Sequence, residues 1–339
     1  MTKEVVLQVK NLKTHFTTSK GTAKAVDGVD FTLHRGETLG IVGESGCGKS
    51  ITSLSLLRLI PSPPGKIVAG EILLNNKDIV KMKEEELRKL RGNQLSMIFQ
   101  EPMTSLNPII PVGEQIAETI RLHQRLPRKQ AWQKAVDMLE LVGLPSPEKR
   151  AKQEPFQLSG GMRQRVMIAM ALACTPEVLI ADEPTTALDV TIQAQILELM
   201  KDLQTKIGMS IIFITHDLGV VSEVCDQVAV MYAGQIVEHR AAKDLFKNPL
   251  HPYTKGLLAS LPNINKNQTE LLTIEGSVPS PYEYPSGCRF ADRCQHARSI
   301  CRSENPELLE TINSNTQVRC FMYSENWGEF EEEEEVICQ

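Results

Sequence analysis

The stretch Gly43-Glu44-Ser45-Gly46-Cys47-Gly48-Lys49-Ser50 specifies chemistry by residue type and spacing. It reads G-x-x-x-x-G-K-S, and it sits between an apolar run and a helical one. Glycines there let backbone N–H groups turn inward around a phosphate chain, with the positive end of the following helix behind them. Gly43 through Ile51 are thus expected to bind ATP. Lys49 is placed for the β- and γ-phosphates, and Ser50 supplies a hydroxyl for Mg²⁺.

About 130 residues on, "EVLIADEP" puts Asp182 and Glu183 at the carboxyl end of an apolar strand, the edge where open α/β sheets bind ligands. One carboxylate, Asp182, can hold Mg²⁺ through water. Glu183 can orient or deprotonate the attacking water, a role contributing about 10²- to 10⁴-fold in rate. "IIFITHDL" delivers His216 from a further strand, and "SMIFQEP" ends a run at Gln100, whose amide could reach the metal or the water.

These groups need strands to carry them. "TLGIVG", "EVLIAD" and "SIIFIT" are short apolar runs without alternation, as in strands covered on both faces. Ile192, Ile196, Leu199, Leu203 and Ile207 recur at steps of three and four, one stripe of an amphipathic helix. Residues 114–144 read as a helical insertion. Strands alternating with helices imply an α/β fold with a mainly parallel sheet. Near residue 255 the text turns Pro/Asn-rich. The expected domains are therefore 1–255, with a helical subdomain at about 101–170, and an extension over 256–339 ending in an acidic run.

Composition narrows the function classes. Net charge is −5, without the basic excess of a nucleic-acid binder. The amino terminus has no apolar signal core, so secretion is not expected. The longest apolar run, Val166 to Cys174, is nine residues against roughly 20 for a membrane span. Eight cysteines without a secretory signal suggest reduced thiols, or metal ligands where they cluster.

"LSGGMRQRV" follows the phosphate loop by about 110 residues. "GESGCGKS", "MIFQEP", "LSGG", "VLIADEP", "TALD" and "THD", in that order and spacing, resemble the nucleotide-binding subunit of an ABC transporter over roughly residues 4–250. The resemblance implies that Phe16 stacks on adenine, Glu183 is the catalytic glutamate, and Asp182 is the metal-associated aspartate. It makes Gln100 the link to membrane subunits and His216 the switch histidine at the γ-phosphate. Ser159, Gly160 and Gly161 match the signature that touches ATP on the opposite subunit, and Asp189 would lie at that junction. Met162 departs from the glutamine often found there. One signature and one phosphate loop per chain call for a second ATPase subunit.

"HPYTKGLL", "GSVPSP", "GCRFADRC", "SICRSENPEL" and "VRCF" resemble the carboxyl-terminal extension of the oligopeptide/dipeptide (and nickel) importer branch, on the first of its two ATPase subunits. This implies a heterodimer with a paralogous ATP-binding subunit on two integral membrane permease subunits. It also implies an extracytoplasmic peptide-binding protein acting indirectly, a peripheral place on the cytoplasmic face of the cell membrane, and no nucleic acid. Nickel or another solute as cargo, and a soluble ABC-type ATPase acting on nucleic acid or ribosomes, are the alternatives.

The tail cysteines Cys288, Cys294, Cys301 and Cys320 are spaced C-x5-C-x6-C-x18-C, without the paired C-x2-C knuckles of zinc ribbons. Four thiolates suit a [4Fe–4S] cluster, and some members of the branch resemble iron–sulfur proteins here. A structural cluster serving as the core of a tail poor in apolar periodicity is the expectation. Zinc, packed reduced cysteines and a disulfide are the alternatives.

Overall fold

A computed structural model describes residues 4–100, 105–185, 190–260, 273–311, 316–325 and 327. The described residues form twelve strands: β1 (Val5–Thr18), β2 (Gly21–His34), β3 (Thr38–Val42), β4 (Gly65–Leu74), β5 (Lys77–Asp78), β6 (Leu95–Ile98), β7 (Val178–Asp182), β8 (Ser210–Ile214), β9 (Gln227–Tyr232), β10 (Gln235–Ala241), β11 (Leu309–Glu310) and β12 (Gln317–Val318). A four-stranded sheet has the order β2-β1-β4-β5. Two compact units divide the chain, one of residues 1–7, 32–38 and 73–214 and the other of 8–31, 39–72 and 215–339.

In the first unit β6, β7 and β8 pair in parallel, with Ala181 opposite Ile98 on one side and Phe213 on the other. Every residue of β7 and β8 is buried, as the unbroken apolar runs predict. The helix Val190–Ile207 buries Ile196, Leu197, Met200 and Leu203. The expected stripe is thus turned slightly: Leu197 and Met200 enter the core while Ile192, Leu199 and Ile207 stay half-buried. A helix covers the surface over the turn before its own Cα, which shifts the buried stripe from a simple count. The helical insertion is two helices, Val112–Gln124 and Arg128–Leu141. Arg125 at φ 54° ends the first, and Pro127 precedes the second, since a proline disfavours helix in the residue before it.

In the second unit β3 pairs with β9 in parallel, and β10 turns back on β9 antiparallel. The tail then extends this sheet. β12 lies antiparallel on β10, pairing Val318 with Glu238 and Gln317 with His239, and β11 lies on β12. The core of this unit gathers Tyr232, Tyr253 and Phe290, with Ile274, Val278, Tyr284, Cys288 and Cys294 packed against it. The tail therefore shares a hydrophobic core with the strands that flank the phosphate loop. Its aromatic rings meet tilted or edge-on, with Tyr232 and Tyr253 centroids 4.6 Å apart and Phe290 5.3 Å from Tyr232, a favourable ring geometry.

Candidate functional site

The phosphate loop leaves β3 at Gly43 and enters the helix Lys49–Leu56. Gly43 at φ 152° and Gly48 at φ 105° adopt backbone angles that side-chain-bearing residues rarely reach. Space forbids a side chain as well: a Cβ would stand 2.1 Å from the Met231 carbonyl oxygen at Gly43 and 2.4 Å from that of Ala25 at Gly48. Lys49 is buried, and its Nζ donates to the carbonyls of Gly43 at 2.7 Å and Glu44 at 3.0 Å. Its charge is thereby held inside the turn. Ser45 and Gly46 are exposed; Ser50 and Ile51 are half-buried. Cys47 is fully buried, and burial raises its thiol pKa.

Two tail residues grip Glu44. Its backbone N–H donates to the Tyr253 hydroxyl at 2.8 Å. Its carboxylate accepts both arms of Arg293, at 2.7 and 3.0 Å. The Glu44 hydrogen bond, against the cost of burial, raises the Arg293 pKa. Tyr253 is in turn positioned by the "HPY" segment. Fully buried Glu238 accepts from the N–H groups of Leu250 and His251, both at 2.9 Å. His251 Nδ1 then caps the helix Pro252–Ala259 by accepting from Tyr253 N at 3.0 Å. Burial pushes His251 down to about 3, so it serves as a neutral acceptor. Nothing in residue spacing reveals the Arg293 and Tyr253 contacts, because the partners lie more than 200 residues apart.

In the other unit β7 ends at buried Asp182. Glu183 follows at φ 46°, a strained angle for a side-chain-bearing residue and a recurrent feature of functional positions. Its N–H donates to the Ile214 carbonyl at 2.8 Å. Gln100 Nε2 donates to Glu183 Oε2 at 2.9 Å, so two of the sequence-predicted groups meet directly. Sequence reading missed Gln164. It is buried on the helix Gly160–Leu172, and its amide donates to the Pro184 carbonyl, tying the signature helix to the turn after Glu183.

Ser159 opens that helix, its Oγ accepting from Met162 N at 3.4 Å. Ser159 and Gly160 are exposed. A Cβ on Gly160 would meet nothing within 4 Å, and one on Gly161 would approach Ile192 at 3.1 Å.

The "THD" triplet divides its labour. Thr215 Oγ1 accepts from Asp217 N at 3.0 Å. Asp217 caps the helix Leu218–Val224 by accepting from Gly219 N and Val220 N. His216 between them is exposed. Phe16 is half-buried, with its ring over Gly65, where a Cβ would lie 2.7 Å away. Asp189 lies outside the described residues.

The tail cysteines correct the sequence reading. Among the described residues, no group of three or more His, Cys, Asp or Glu side chains is arranged to hold a metal ion. This overturns the expected [4Fe–4S] cluster, and zinc falls with it. Cys288, Cys294, Cys301 and Cys320 are free thiols around a cavity of about 20 Å³, room for about one water. Burial pushes Cys288 up to about 11 and Cys320 to about 12, and raises Cys294 as well. The premise behind the cluster was a tail without a core. The tail has one, in Tyr253, Phe290 and their neighbours.

Comparison with known proteins gives a match to the ABC transporter family model over residues 26–186, and to the oligopeptide/dipeptide transporter C-terminal region over residues 237–301. The oligopeptide transport ATP-binding protein AppD of Bacillus subtilis is 56% identical over 324 residues, covering 96% of this chain and 98% of that protein. The chain belongs to the ABC transporter family. Within this family, the dipeptide transport ATP-binding protein DppD of Bacillus subtilis is 52% identical, over 94% of this chain and 95% of its own length. Among solved structures, the ATP-binding cassette MJ0796, a dimer in a post-hydrolysis state bound to ADP and phosphate, superimposes with a TM-score of 0.63. It is 27% identical and covers 70% of this chain and 98% of that one. The ABC cassette fold expected from the motifs is thus the fold observed. Among the described residues, no helix is long and apolar enough to cross a membrane.

Proposed function

We propose that this ABC transporter chain hydrolyses ATP to drive import of di- or oligopeptides across the cell membrane. In this reading it pairs with a paralogous ATP-binding subunit and docks on two membrane permease subunits at the cytoplasmic face, with a peptide-binding protein supplying cargo outside. The observation that carries it is the exposed signature turn at Ser159 and Gly160, an anion-binding helix start distinct from the chain's own phosphate loop. The oligopeptide and dipeptide transport functions of AppD and DppD, and the dimer formed by MJ0796, support the assignment.

Roles follow residue by residue. Bound MgATP supplies a γ-phosphoryl group ready for in-line attack by water. Lys49 and the loop N–H groups between Gly43 and Ile51 hold the phosphates, except that of Glu44, which Tyr253 engages. Mg²⁺ would be held by the Ser50 hydroxyl and by Asp182 and would neutralise charge on the phosphates, and Gln100 can turn its amide from Glu183 to the metal or the water. Glu183 takes the proton of the attacking water. His216 answers to the γ-phosphate, Phe16 stacks on adenine, and Asp189 with Ser159, Gly160 and Gly161 completes the site of the partner subunit. Positioning and charge neutralisation carry most of the rate.

Glu183→Gln tests this directly. MgATP binding should persist while turnover by the assembled transporter slows about two to four orders of magnitude, and the two ATPase subunits should stay closed on trapped ATP. Near-normal hydrolysis would remove Glu183 from its role. Failure of Ser159→Cys to crosslink to a partner carrying trapped ATP would remove the paired site.

A further inference from the structure

The oligopeptide-type tail is physically fastened to the phosphate loop. Arg293 is 5% exposed at its side chain, and all five of its N–H donors have acceptors. Nε donates to the Glu275 carbonyl at 2.9 Å. One arm donates to Glu44 and to the Tyr232 hydroxyl at 3.4 Å, the other to Glu44 and to the Ile274 carbonyl at 3.2 Å. A guanidinium so saturated cannot swing away without leaving buried donors unpaired, which is costly. Glu44 is consequently fixed at both its side chain and its N–H, one residue after Gly43 and within the loop that receives Lys49.

Charge gives this contact a purpose. Glu44 is a carboxylate inside a turn built to receive phosphate anions. A carboxylate released there would repel a triphosphate and could compete for Lys49. Paired with Arg293 it does neither.

We propose that Arg293 of the carboxyl-terminal extension is a positioning residue for ATP, neutralising Glu44 and drawing its side chain away from the phosphate cradle, so that the extension completes the nucleotide site of its own chain. The inference rests on the reading of Gly43–Ser50 as the phosphate site. Tyr253 is the second fastener, holding the Glu44 N–H.

The test is MgATP affinity of the full-length chain by calorimetry, with thermal melting alongside. Arg293→Ala should weaken binding at least ten-fold, or about 1.4 kcal/mol. Arg293→Lys keeps the charge but loses the fork, and should recover part of that loss. The decisive variant is Glu44→Gln, which removes the carboxylate and with it the need for a neutralising partner. In that background Arg293→Ala should cost less than about three-fold, a coupling that only residues acting on each other show. An equal loss in both backgrounds means that Arg293 merely supports the fold, and overturns the proposal. An unchanged affinity in Arg293→Ala overturns it too. If Arg293→Ala does not fold, Arg293→Lys in the two Glu44 backgrounds gives the same cycle. Lys49→Ala separates the two levels. Should that variant bind MgATP like the wild type, the phosphate-site reading fails; should it lose binding while every Arg293 variant keeps it, only the positioning role fails.

Discussion

A Cβ added to Gly48 of the phosphate loop would lie 2.4 Å from a backbone oxygen, whereas one added to Gly160 of the signature turn would meet nothing within 4 Å. Both glycines open a helix, and both turns can present N–H groups to an anion. The first is boxed in by its own chain, with Ala25 and Met231 beneath and Tyr253 and Arg293 at its flank. The second is exposed. The phosphate loop needs glycine because the fold leaves no other choice. The fold places no such demand on Gly160, so the demand there is expected to come from a ligand or a partner.

The comparison breaks most sharply at Gly48. Gly48→Ala combines a forbidden φ with a backbone clash, at a cost of at least about 3 kcal/mol. MgATP affinity of the isolated chain should fall more than about 100-fold. Calorimetry showing normal binding would mean that the loop is less rigidly set than its contacts indicate.

A medium effect concerns the fastening of Tyr253. His251 has a folded pKa lowered from 6.5 to about 3 by burial. The unfolded chain therefore binds a proton first. The stability from neutral His251 is complete above about pH 6.5, declines as pH falls, and is gone below about 3. Between pH 7.5 and 5 this amounts to about 2 kcal/mol. Denaturant titrations at the two pH values should show that difference for the wild type and a smaller one for His251→Asn, which can still cap the helix. Equal pH dependence in both would assign the acid sensitivity elsewhere.

The smallest effect is the most telling. Gly160→Ala should change stability by no more than about 1 kcal/mol, in the stabilising direction for a helical position, and leave MgATP affinity of the isolated chain within two-fold. Turnover by the assembled pair should nevertheless drop. If the variant lowers affinity in the isolated chain, the signature turn is not reserved for the partner.

What the sequence made readable follows the same division. The phosphate loop and the strand-end carboxylates were legible because backbone geometry dictates residue type there: only glycine fits Gly43 and Gly48, and only unbroken apolar runs fit β3, β7 and β8. The signature was legible through family resemblance. The tail was misread because its apolar residues follow neither helix nor strand period. Phe290, Val278, Tyr284 and Ile274 reach a common core from irregular backbone, and irregular backbone leaves no periodic trace. Arg293, Tyr253 and Gln164 were invisible for a related reason. Each is a polar residue whose partner is fixed by tertiary approach, and spacing along the chain carries no information about it.

The two residues of β12 have a further consequence. They occupy the free side of β10, hydrogen-bonding where Glu238 and His239 would otherwise turn bare peptide groups outward. An uncovered strand of this kind invites intermolecular pairing. A gene cut back to the minimal cassette would therefore produce more than a smaller enzyme. It would expose a sticky ribbon, and the shortened product should be recovered from inclusion bodies or as oligomers of no fixed size.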